Sequence, residues 1–233
     1  MKRILLLALF VVSISAQAQV KIKADTVKPG RFDQGKMWTF EDLPTQYFQE
    51  TYGFTPTEEW LTDVRQSALR FASWCSASFI SENGLILTNH HCSQGVAGSV
   101  QKEGEDFEKD GFYAQTQADE RRIKDLFVDQ LVRLADITDK VNEYAEGSTP
   151  AAAIEKIKAE YAQLDGWKDL VIQHVTFYSG AKYSLYGFKR YSDIRMVLYP
   201  EGALGYFGGD PDNFTYPRYA LDFTLFRAYD ENG

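Results

Sequence analysis

The sequence predicts a mainly β protein of antiparallel strands with added helices, and three observations carry that prediction. After Trp167, the runs Leu170–Tyr178, Lys182–Tyr191 and Asp193–Tyr199 are dense in Val, Ile, Tyr and Phe, and Ser179-Gly180 and Pro200 punctuate them. A shorter pair of apolar runs, Ser76–Ile80 and Leu85–Thr88, flanks Ser81-Glu82-Asn83-Gly84, whose Asn-Gly step favours a tight hairpin turn. Helical periodicity, by contrast, is confined to two segments.

The first helical segment is announced by Thr55-Pro56-Thr57-Glu58, which reads as a capping box with Pro at the first helical position. Trp60, Leu61, Val64 and Ala68 then recur at helical spacing, so a helix is expected from about Pro56 to Leu69. The second opens at Thr149-Pro150 and continues through the Ala-rich stretch Ala151–Ala162, with Ile154, Ile157 and Tyr161 on one stripe. Leu126–Ile137 and Leu221–Ala228 read as further strands. Residues 20 to 50 are aromatic but aperiodic and read as an extended, docked arm. The charged stretch from 101 to 125 shows no apolar face and reads as a solvated loop with some helix, while Gly202, Gly205, Gly208 and Gly209 mark another loop.

At the N-terminus, Lys2 and Arg3 precede an apolar run from Ile4 to Val12 that ends in Ala16-Gln17-Ala18. This order of charge, apolar run and small residues is that of a secretory signal, expected to span residues 1–18. The run is too short to cross a bilayer, so a secreted or periplasmic product without membrane insertion is expected. The remaining residues, 19–233, are long enough for one compact domain or two small ones. A net charge of -8 with no Lys/Arg cluster argues against a nucleic-acid partner. The two cysteines, Cys75 and Cys92, would sit in an oxidising compartment, so a disulfide is the default expectation and two free buried thiols the alternative.

Chemistry concentrates in Thr88-Asn89-His90-His91-Cys92, directly after the hairpin that starts at Cys75. Chymotrypsin-like peptidases place their general-base His in a Thr-x-x-His-Cys sequence and bridge that Cys back to the preceding hairpin; the spacing here is similar. His91 is therefore the candidate base, since a base must be held within about 3 Å of the proton it removes. The same donors could serve zinc, but a closed site needs four ligands. Beyond the cluster only His174 and Cys75 remain, neither in a paired spacing. A carboxylate must also orient such an imidazole, and Asp222 fits best. It lies in the apolar run Tyr219–Phe226, where an ionised group is costly unless it is paired, and the alternative is an edge-strand Asp facing water. Asp210 and Asp212 read as turn formers.

Three separated blocks resemble the dipeptidyl-peptidase 7 and 11 family: Gly35–Phe40, Ser78-Phe79-Ile80 through Gly84–Cys92, and Phe207–Phe214 through Pro217-Arg218 to Asp222-Phe223. That resemblance implies a chymotrypsin-like antiparallel β-barrel, incomplete in this chain, with His91 and Asp222 in the catalytic triad. It implies that Asn213 and Phe214 hold the substrate's free α-amino group, although the family typically has Trp where Phe214 stands. Lys36 is a second departure, inserted where the family runs Gly-Met-Trp.

The resemblance further implies oligopeptide substrates, release of N-terminal dipeptides by acyl transfer, no metal or organic cofactor, and a homodimer in the complete enzyme. None of Ser99, Ser148, Ser179 or Ser184 lies in a nucleophile sequence such as Gly-Asp-Ser-Gly. The chain is therefore expected to be the N-terminal part of the catalytic domain, without the Ser-bearing segment and the helical domain, and to be inactive alone. The alternative from another class is an exported binding module on a peptidase scaffold.

Overall fold

A computed structural model describes residues 38–206 and 220–230. The chain divides into two units, Met1–Phe54 and Thr55–Gly233. In the first, helix α1 (Thr45–Tyr52) follows Pro44 and stops at Gly53, whose φ of 65° is the left-handed conformation that ends helices. Trp38 meets Phe48 edge-on at 5.6 Å between ring centroids. Residues 45–52 are thus helical rather than an extended arm, because their aromatic side chains cluster with one another along one short helix.

The second unit carries helices α2 (Glu58–Ser67), α3 (His90–Ala97), α4 (Phe107–Asp110), α5 (Thr138–Tyr144), α6 (Pro150–Tyr161) and α7 (Gly202–Gly205). Thr57, not Thr55, caps α2 by accepting the Trp60 amide at 3.2 Å, so the helix starts two residues after Pro56. At α6 the expected signals act as read: Thr149 accepts the Ala152 amide and Pro150 occupies the first turn. Ile154 and Ile157 are buried beneath it with Val141 and Leu185.

Among the described residues ten strands form one sheet: β1 (Ala68–Phe71), β2 (Cys75–Phe79), β3 (Leu85–Thr88), β4 (Phe112–Tyr113), β5 (Arg121–Arg122), β6 (Val128–Asp136), β7 (Val171–Phe177), β8 (Lys182–Tyr191), β9 (Asp193–Tyr199) and β10 (Thr224–Tyr229). Their order is β4-β9-β10-β3-β2-β1-β6-β8-β7, with β5 also on β9, and every pairing is antiparallel. The fold class is the expected one, mostly antiparallel β with several helices. The path of paired strands is open, ending at β4 and β7. Phe71 and Phe226, fully buried with ring centroids 5.1 Å apart, anchor the main core, each worth about 1.5–3 kcal/mol. Among the described residues no helix is long and apolar enough to cross a membrane.

The β2–β3 hairpin turns at Gly84, whose φ is 69° and where a Cβ would lie 2.6 Å from the Ala228 carbonyl oxygen. Only glycine therefore lets this turn press against β10.

The stretch from 101 to 125 departs from expectation. It folds back onto the sheet, burying Phe107 and Ile123 in the main core. Arg121 clamps it by donating to Glu105 at 2.6 Å and lying over the Phe112 ring, and this bond holds the Glu105 carboxyl down at about 2. Glu120, nearly fully buried, accepts from Arg227 Nε and from the Tyr229 hydroxyl, both at 2.8 Å. Its apolar residues are too widely spaced to show a periodic face, and ion pairs hold them in place. Glu120→Ala should lower the unfolding free energy by about 3 kcal/mol in urea titration, because Arg227 is left buried without its carboxylate. A loss below about 0.5 kcal/mol would show the pair to be no more than a surface contact.

Candidate active site

The site is built where β3 ends and β10 begins, beside the middle of β2. Ala77 of β2, Thr88 of β3 and Thr224 of β10 stand side by side in register. His91 is three residues beyond Thr88 and Asp222 two before Thr224, so the antiparallel pairing delivers both to the same rim. Beneath them Ser93 Oγ lies 3.0 Å from Thr224 Oγ1 and donates to the His90 carbonyl at 2.7 Å. Asp222 precedes β10 instead of lying within it, a correction to its expected place in a strand. There its side chain can turn back toward α3, which a paired strand position would prevent.

His91 Nδ1 lies 2.8 Å from Asp222 Oδ2. The His91 amide donates to Asp222 Oδ1 at 3.0 Å, and Asn89 Nδ2 donates to Oδ2 at 3.0 Å. The Asp222 side chain is 7% exposed and that of His91 41%. Three donors and the N-terminal end of α3 offset the cost of burying the carboxylate. Since a carboxylate only accepts, Nδ1 carries the proton, which leaves Nε2 of the half-exposed ring as the proton acceptor.

The disulfide between Cys75 and Cys92 is formed, tying α3 to the start of β2. Trp74 Nε1 reinforces it by donating to the Cys92 carbonyl at 3.0 Å. Cys75, His91 and Cys92 form a cluster of metal-ligand types, yet the S–S bond takes up both sulfurs that a zinc ion would need as thiolates. Opening the bond with Cys75→Ser/Cys92→Ser should cost about 3 kcal/mol of stability in urea unfolding. A change within about 0.5 kcal/mol would mean that the strand register alone holds the turn.

His90, the neighbour of the candidate base, has a different task. It is fully buried, stacks on Tyr199 at 4.3 Å, and its Nε2 lies 3.2 Å from the Pro200 carbonyl oxygen. A carbonyl can only accept, so Nε2 bears the proton, and buried Nδ1 has no partner among the described residues. Gly205 of α7 approaches so closely that a Cβ there would meet the ring at 2.4–2.6 Å. Burial pushes the His90 pKa below its ordinary 6.5, outweighing the Pro200 bond and the nearby carboxylates.

The unfolded chain therefore takes up the proton first, so the stabilising contribution of His90 is complete above pH 6.5 and declines as the pH falls below it. Wild-type stability measured relative to His90→Gln should fall as the pH is lowered below 6.5. A flat difference would show that the ring protonates as readily folded as unfolded.

Asn213, Phe214, Asp210 and Asp212 lie outside the described residues, as do residues 1–18 and Gly35-Lys36-Met37. Asn89 and His90 occupy the two variable positions of the Thr-x-x-His-Cys motif, and no helical period in the sequence marks α3. The available signal was Asn89, a favoured N-cap type directly ahead of the His pair.

A half-exposed imidazole with one nitrogen on a buried carboxylate, at the rim of an antiparallel sheet, is an arrangement that can take up and return a proton, as the base of a peptidase site must. The Peptidase S46 family model matches residues 32–233, and the chain belongs to that family. Dipeptidyl-peptidase 7 of Phocaeicola vulgatus is 33% identical over 226 residues, covering 88% of this chain and 31% of that protein. An Asp/Glu-specific dipeptidyl-peptidase of Capnocytophaga gingivalis is 35% identical over 210 residues, covering 84% of this chain and 29% of the relative. Among solved structures, Porphyromonas endodontalis DPP11 in complex with substrate superposes with a TM-score of 0.72 at 25% identity, covering 85% of this chain and 32% of that one. The chain thus spans about a third of the length of its relatives.

Proposed function

We propose that the chain supplies the base and the orienting carboxylate of a serine dipeptidyl-peptidase that releases dipeptides from the free N-termini of oligopeptides. The observation that carries this reading is the 2.8 Å contact between His91 Nδ1 and Asp222 Oδ2. In the reaction His91 Nε2 takes the proton of a serine hydroxyl as its oxygen attacks the scissile carbonyl, then returns it to the leaving amine. Asp222 fixes the tautomer and stabilises the imidazolium. The serine belongs to the part of the full-length enzyme that this chain does not span. Asn213 and Phe214 clamp the substrate ammonium, and the enzyme acts as an exported homodimer on peptides, with the signal at residues 1–18. Without the serine, the 233-residue chain alone is inactive.

The test is mass spectrometry of products released by the full-length polypeptide from one oligopeptide with a free and an acetylated N-terminus. Dipeptides from the free peptide alone are expected. Release of single residues, or equal cleavage of the acetylated peptide, would overturn the reading.

A further inference from the structure

We infer that Asn89 is a positioning residue of the same site, holding the Asp222 carboxylate in the orientation His91 requires; the inference rests on the proposed roles of those two residues. Asn89 is the N-cap of α3, and its side chain makes no capping bond. The amide at the helix start that such a cap would serve is instead taken from outside, as Asp222 Oδ1 accepts the His91 N–H at 3.0 Å. Asn89 is thereby released from capping. Its Nδ2 reaches Oδ2 of Asp222 at 3.0 Å and the Asp222 carbonyl oxygen at 3.1 Å. Both partners accept only, so the amide must present its nitrogen to them.

The consequence is geometric. Oδ2 is shared between Asn89 and His91 Nδ1, while Oδ1 is held by backbone, so the carboxylate cannot rotate without losing a donor. The bond to the Asp222 carbonyl also ties the main chain ahead of β10 to the start of α3. Asn89 Nδ2 bonds Asp222 and not the His91 ring, and so acts through Asp222.

Capping and positioning predict opposite rankings of variants. Asp is as good an N-cap as Asn and favours the helix dipole, so a purely structural role predicts that Asn89→Asp matches wild type and that Asn89→Ala is worse. A positioning role predicts the reverse, because a second carboxylate 3.0 Å from Oδ2 repels the first. In the full-length enzyme assayed on a dipeptidyl reporter substrate, Asn89→Ala should lower kcat about tenfold with KM within about twofold, and Asn89→Asp about 100-fold. The downfield proton resonance of the His91–Asp222 bond should weaken or disappear in both variants.

Asn89→Asp at wild-type kcat, or an unchanged resonance in Asn89→Ala, would overturn the inference. His91→Ala is assayed beside them. If it retains activity, the base assignment fails; if it is inactive while Asn89→Asp behaves as wild type, only the role of Asn89 fails.

Discussion

His91→Ala is expected to lower kcat/KM of the full-length enzyme by about 10⁴-fold or more, with KM nearly unchanged. On the proposed mechanism, removal of the ring eliminates the group that accepts the nucleophile's proton and delivers it to the leaving amine. Other His residues cannot substitute. His90 is buried with Nε2 committed to the Pro200 carbonyl, and His174 lies in β7, at the far edge of the sheet from β10. The ring is half exposed, so stability should change little, and equal unfolding midpoints would separate loss of chemistry from loss of fold. Activity within tenfold of wild type would remove His91 from the mechanism.

Asp222→Asn is expected to cost about 10⁴-fold in kcat, the magnitude for a carboxylate-to-amide change beside such an imidazole. The reason can be traced atom by atom. One oxygen becomes an NH2, and with the other oxygen kept on the fixed His91 backbone N–H, that NH2 stands at the Oδ2 position, where it also meets the Asn89 donor. The new NH2 then faces His91 Nδ1 and turns it into the acceptor, which leaves the proton on Nε2, where the base should be empty. The double variant His91→Ala/Asp222→Asn should be no worse than His91→Ala, because the carboxylate acts only through the ring. Additive losses would mean that Asp222 has a separate function.

Much of the strand pattern was legible because β7, β8 and β9 are long runs of β-branched and aromatic residues broken by turn signals. The helix at 150 was legible for the same kind of reason, with Thr149 and Pro150 marking its start. The charged segment from 101 to 125 was not, since its two fully buried apolar residues, Phe107 and Ile123, are sixteen positions apart with no period to reveal them. What holds them inward are pairs such as Glu120 with Arg227, 107 residues apart. Helix α1 was missed because Thr45–Tyr52 is too short a run to establish a helical period in the sequence.

The candidate site divides along the same line. The identities of His91 and of its cysteine neighbour are written in five consecutive residues, because a base beside a disulfide is a local arrangement of chain. The choice of Asp222 among the acidic residues, and the recruitment of Asn89, depend on β10 lying beside β3 with Thr224 opposite Thr88. Hydrogen bonds act over about 3 Å, whereas these partners are 131 and 133 residues apart along the chain. Composition and spacing can name the groups that would cooperate, but strand register alone brings them within that distance.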